Sequence, residues 1–215
     1  MLALCLLASA QMPNMPPGML DALPKKAKSA PLDADVPFIK CETCKALASQ
    51  FYDEVGKLVA AQAPMAAKKR RLETRSNLGS LEEEVESKLT NICNTEEPDG
   101  KWMRGFDIMK VGTALKLKAM PPGKCRRECK TVEKACSNVL SDIEDHDVGE
   151  MVIEAVREDE GKAAVAKKMC TKMATVCKKG KTPLWAEGKV RKNEDFWELS
   201  EQELKDEKMM GAPAP

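Results

Sequence analysis

From residue 38 to residue 59 the apolar positions Cys41, Cys44, Leu47, Phe51, Val55 and Leu58 recur every three or four residues, which puts them on one face of a helix. Both cysteines share that face. Pro64 is expected to end this helix, with the basic run AAKKRRLETRSN connecting it to the next. Ser80, followed three residues later by Glu83, has the form of a capping box, and Leu81, Val85, Leu89 and Ile92 then stripe a second helix that delivers Cys93 at its end. Pro98, Asp99 and Gly100 mark a turn. Beyond it Phe106 and Ile108, then Leu115 and Leu117, alternate on either side of Gly112 and predict a β-hairpin. Pro121, Pro122 and Gly123 break the chain again before a third helical stripe of Cys129, Val132, Cys136, Val139, Leu140 and Ile143. Two further helical stretches are expected over residues 148–156 and 162–177, the second with Val165, Met169, Cys170, Met173, Val176 and Cys177 facing one way. The fold class predicted is mainly α, a bundle of four to five helices with a β-hairpin inserted between the second and third.

The ends follow different patterns. Residues 1–10, MLALCLLASA, are apolar and uncharged and finish in Ala8, Ser9 and Ala10, the form of a signal peptide with its cleavage site. They fall short of the roughly 20 apolar residues that a membrane-spanning helix needs, and no other segment approaches that length. Residues 11–36 carry Pro13, Pro16, Pro17, Pro24 and Pro31 without an apolar period and read as a disordered or extended linker. Residues 37–180 form the predicted domain. Residues 181–215 are expected to be a charged tail, partly helical or disordered, holding Trp185, Trp197 and an exposed helix that starts at Ser200.

Cys41, Cys44, Cys93, Cys125, Cys129, Cys136, Cys170 and Cys177 make an even set which, together with the leader, reads as a structural disulfide framework in an oxidising compartment. The lumen of the endoplasmic reticulum or secretion is therefore expected. Cys5 lies inside the leader. Aromatic residues are 4% of the chain, so an interior of Ala, Val, Leu and Met buries limited area and gains from covalent staples.

Chemistry is sparse by comparison. Net charge is +1 with 32% charged residues, which leaves no strong field to steer nucleic acid. The single histidine, His146, sits in the acidic run EDHD and reads as a solvated loop residue, which nearly excludes catalytic triads and His-rich metal sites. No Gly-rich phosphate-binding string occurs. CETC has the spacing of a redox motif or a zinc half-site, but it lies within an amphipathic helix among six further cysteines, which favours structural bridging. AAKKRR, residues 66–71, reads as a solvated charge run. No enzyme, cofactor or metal is expected.

A CxxC in the first helix, a lone cysteine ending the second, another early in the third and a close pair in the last resemble the saposin-B-type, or saposin-like, domain over residues 36–179. The long segment between Cys93 and Cys129 is closer to the canopy branch, and VPFIKCETCKALASQFY looks most like plant and algal saposin-B-domain proteins. The resemblance implies bridges Cys41 to Cys177, Cys44 to Cys170 and Cys93 to Cys129. Cys129 and Cys136, seven residues and about 10 Å apart along a helix, cannot bridge each other across the roughly 4.4 to 6.8 Å that a disulfide allows. Two arrangements remain for the middle four: Cys93 to Cys129 with Cys125 to Cys136, which the resemblance favours, or Cys93 to Cys136 with Cys125 to Cys129. The resemblance further implies a luminal partner of client proteins, or else a lipid binder. In either role Leu47, Phe51, Val55, Leu81, Val85 and Leu89 are the stripe positions that would meet client or lipid on opening, against simple core packing for each. With one histidine, a pH switch would have to rest on carboxylates, which favours a neutral compartment and protein clients.

Overall fold

In a computed structural model, residues 29–68, 74–143, 147–179, 183–185, 190–191 and 193–210 are described, apart from the side chains of 63–68, 74–80 and 207–210. The predicted signal peptide, His146 and residues 69–71 of the basic run lie outside them.

Helix α1, Val36–Lys68, is the axis on which the rest packs. Its stripe of Ile39, Cys44, Leu47, Ala48, Phe51 and Val55 is buried, and it touches all four of the other helical segments of the body as well as the hairpin. The helix continues through Pro64, which had been expected to end it. Proline in a helix interior costs about 3 kcal/mol, whereas the alanines at 60, 61, 63, 66 and 67 are the best helix formers and offset that cost. Helix α2, Thr74–Asn91, also begins earlier than expected, so Ser80 lies within it rather than capping it. The stretch TRSNLG holds no proline, and a Ser-x-x-Glu spacing falls on one helical face as readily as on a cap.

The turn expected at Pro98 is a 3-10 helix, Pro98–Gly105. It is held close to the end of α2. Trp102 donates its indole N–H to the Ile92 carbonyl at 2.8 Å, Met103 is fully buried, and a Cβ on Gly100 would meet the Asn94 carbonyl oxygen at 1.9 Å. The hairpin follows, with β1 Phe106–Val111 antiparallel to β2 Ala114–Ala119 and Val111 opposite Ala114. Gly112 supplies the positive φ of +60° that a tight two-residue connection needs at its first position. Ile108 and Leu115 point into the core.

Helix α3, Arg127–Ser141, contributes Val132, Ala135, Cys136 and Val139 to the interior. Helix α4, Val148–Arg157, starts with Asp147 Oδ1 accepting the Glu150 N–H at 2.9 Å and buries Val148, Val152, Ile153 and Ala155. Helix α5, Lys162–Lys167, widens into a π-helical turn, Lys168–Met173, in which the Ala174 N–H reaches the Met169 carbonyl. The helix expected to reach residue 177 therefore stops at Met173, and Thr175 takes a φ of +56°.

Both flanks depart from expectation, because each is tied to the body. Before α1, the Leu32 N–H donates to Thr131 Oγ1 at 2.8 Å and Asp35 is buried, so the end of the expected linker is ordered. After residue 180 the body does not stop. Trp185 is 3% exposed and meets Phe38 edge-on, Glu198 pairs with Gly123 in a short antiparallel bridge, and α6, Glu201–Met210, closes the described chain. Ser200 and Glu203 form the reciprocal capping box at its start. The physical reason is the aromatic-poor interior: Trp185 fills space that small aliphatic side chains leave. No described helix is long and apolar enough to cross a membrane.

Candidate functional site

Three of the four disulfides hold helices to one another. Cys41–Cys177 and Cys44–Cys170 are nested, fastening the first turns of α1 to the π-helical turn and the strand of chain after it. Cys93–Cys136 fastens the end of α2 to the middle of α3, and Cys125–Cys129 lies wholly at the start of α3. The middle pairing thus corrects the one favoured by resemblance, Cys93 with Cys129 and Cys125 with Cys136. Position along α3 goes with the difference: Cys93 and Cys136 are both part of the main apolar cluster with Val132 and Val139, whereas Cys129, also buried, lies two turns earlier on α3, beside Cys125.

The stripe positions proposed for lipid or client contact are all turned inward. Leu47, Phe51 and Val55 are fully buried, Leu81 and Val85 are 1% exposed, and Leu89 packs half-buried against the same cluster. Among the described residues Phe51 is the largest fully buried side chain.

A second constellation gives no sequence signal. Arg191, 2% exposed, lies between two buried carboxylates. Its Nε donates to Asp35 Oδ2 at 2.7 Å, one terminal nitrogen donates to Glu128 Oε2, and the other donates to the Ile108 carbonyl at 2.9 Å. One side chain therefore ties the approach to α1, the first turn of α3 and strand β1. Burial alone would lower the Arg191 pKa, but the bonds to Glu128 and Asp35 outweigh it and hold it above the ordinary arginine value. Next to it Glu194 accepts the Arg127 N–H and pairs with Arg126, whose guanidinium lies 4.8 Å from the centre of the Trp197 ring.

No family model, curated protein or solved structure matches the chain. The site must be read from its own geometry.

Among the described residues no group of three or more His, Cys, Asp or Glu side chains is placed to hold a metal ion. The surface carries shallow clefts. One of about 490 Å³ is lined by Pro37, Lys40, Asp142, Met173, Thr175 and Pro183, with Lys40 and Asp142 paired across it at 2.8 Å. Among the described residues the exposed large apolar side chains are Val111, Leu184, Val190 and Trp197, and the first three lie on the hairpin or next in sequence to a residue bonded to it. Val111 ends β1, Leu184 precedes Trp185, whose N–H donates to the Thr113 carbonyl in the hairpin turn, and Val190 precedes Arg191, which reaches Ile108. Sequence reasoning missed this surface and the Arg191 cluster. Trp185, a large aromatic in a chain with few, was the one signal that the tail returns to the body; nothing in GKVRKN marks Arg191.

Proposed function

We propose that this chain is a saposin-like protein-interaction factor of the secretory pathway, acting on client proteins in the endoplasmic reticulum lumen or after secretion, in the manner of canopy-type folding assistance. The observation that supports it best is the split between the two apolar sets. The stripe that a lipid binder would have to unfurl is sealed in the core by cross-helix disulfides, while Val111, Leu184 and Val190 stand exposed beside a hairpin braced by Arg191. Several disulfides and the lack of a spanning helix among the described residues agree with a luminal or secreted protein.

A few exposed apolar side chains of this kind suit an exposed segment of a partner protein better than a bilayer, which favours a long amphipathic face. Co-sedimentation with neutral and anionic liposomes at acidic and neutral pH should show no saturable binding. Affinity capture of the tagged protein under non-reducing conditions should recover secretory clients, and Val111→Ser with Leu184→Ser should lose them. Saturable liposome binding at either pH would replace this reading with the lipid-binding one.

A further inference from the structure

The Cys125–Cys129 bridge differs from the other three in what it holds together. Those span 136, 126 and 43 residues and join separate elements; this one spans four and closes on the first turn of α3 alone. Opening it parts no helix from another and removes little constraint on the unfolded chain. Its reduction therefore leaves the packed body in place.

The two sulfurs are unequally accessible. Cys129 is 4% exposed, whereas Cys125 is half-buried and lines a cleft of about 400 Å³ together with Thr95, Lys124, Lys130 and Leu199. An incoming thiolate meets Cys125 first. The sulfur that leaves is then Cys129, in the first turn of a 15-residue helix, where the positive end of the helix favours a thiolate and so a fast departure. Lys124 and Arg126 flank the bridge, each also paired with a carboxylate, Glu203 and Glu194. Cys177 is half-buried as well, but attack there would open the 136-residue link between the ends of the body.

We propose that Cys125–Cys129 is a thiol–disulfide exchange site whose substrate class is a protein dithiol. The site goes beyond the binding role proposed above and adds a stoichiometric chemical step to it. One client thiolate bonds to Cys125 Sγ as the Cys125–Cys129 bond breaks, and Cys129 leaves with the electron pair. The second client thiolate attacks the client sulfur of this mixed disulfide, and Cys125 leaves in turn. The client is oxidised by two electrons to its disulfide, the pair is reduced to two thiols, and the two thiol protons pass from client to Cys125 and Cys129.

The test uses the full chain in graded glutathione buffers, with alkylation and peptide mapping of each cysteine. Cys125 and Cys129 should open at a ratio of reduced to oxidised glutathione at least tenfold lower than the other three pairs require, with unchanged helical circular dichroism. A synthetic peptide with one thiol should form its adduct on Cys125. Opening in step with or after the other pairs, or an adduct on Cys129 or on none of the pair, would overturn the proposal. The double variant Cys125→Ala with Cys129→Ala separates the two ideas: client capture without exchange leaves the binding role standing, and exchange by a variant lacking both sulfurs refutes the site.

Discussion

Replacing Arg191 by alanine isolates the brace that connects three parts of the molecule distant in sequence. The substitution removes a side chain that is 2% exposed and leaves Asp35 and Glu128, both buried, without it, Glu128 keeping the longer contact to Arg127 at 3.7 Å. Removing one partner of a buried ion pair costs about 3–5 kcal/mol, because the remaining charge keeps its desolvation penalty. For a chain of this size each kcal/mol moves the melting temperature by about 2–4 °C, so a fall on the order of 6–20 °C is expected. Circular dichroism melts and urea titrations without reductant measure it. Amide exchange adds a spatial readout: protection should fall in β1 and around residues 32–36, where the guanidinium bonds end, and stay unchanged in α4. Arg191→Lys should recover only part of the loss, since an ammonium does not match the fork that reaches Asp35, Glu128 and the Ile108 carbonyl together. A second arm, Asp35→Asn in the Arg191→Ala background, should cost less than Asp35→Asn alone by about 0.5–3 kcal/mol, the coupling expected of groups in one network. If Arg191→Ala costs less than about 1 kcal/mol, the carboxylates find water on their own and the tail is a peripheral attachment.

Three shorter predictions test other parts. Gly100→Ala puts a methyl 1.9 Å from the Asn94 carbonyl oxygen, so it should destabilise by about 1–3 kcal/mol or more, read as a lowered urea midpoint; a neutral result would mean that the 3-10 turn shifts freely. Removing Cys93 and Cys136 together should cost about 4 kcal/mol in the chain-entropy account against about 2 for Cys125 with Cys129, and equal losses would show that loop length does not set their contributions. Glu203 is held down to about 2 by its bonds from Lys124 and from the backbone and hydroxyl of Ser200, below the ordinary 4.5. Because the folded pKa is the lower one, the stability this contact contributes is fully present above the unfolded value and is lost as pH falls from about 4.5 through about 2, while the α6 amides beside Glu203 in the folded protein should shift as pH approaches about 2; amides that complete their shift near 4.5 would refute the contact.

Periodicity carried furthest where one face of an element is buried against one neighbour. The stripes of α1 and α3 and the alternation around Gly112 follow directly from such burial, and their positions are where spacing put them. Boundaries were less readable, because Pro64 and Ser80 are local signals and the alanine-rich and proline-free flanks override them. The return of the tail left one faint signal, the large Trp185 in a chain with few aromatics, and no periodicity. Trp185 docks on Phe38 and Arg191 enters between Asp35, 156 residues away, and Glu128, 63 residues away, contacts that leave no period behind. Among the cysteines, helix geometry excluded one pairing and left two. The choice turned on position along α3 and not on its face: Cys129 and Cys136 share the inward face two turns apart, and the end of α2 meets α3 at Cys136 while Cys129 stays beside Cys125 at the start of the helix.

Covalent and ionic restraints divide the molecule between them. Sulfur bridges join the first turns of α1 to the π-helical turn and the chain just after it, and the end of α2 to α3. None of them reaches the hairpin or the chain after residue 177, and there the restraint is Trp185, Arg191 and the short bridge between Gly123 and Glu198. Disulfides do not open on the time scale of binding, whereas an ion pair and a few strand-edge hydrogen bonds do. The hairpin edge carrying Val111 is therefore the part of the surface free to adjust to a partner while the helical body stays fixed. A partner that binds there should protect β1 and residues 183–191 from amide exchange and leave α4 untouched; protection spread evenly over α1 and α4 would mean that the body itself opens, and would reverse this division of labour.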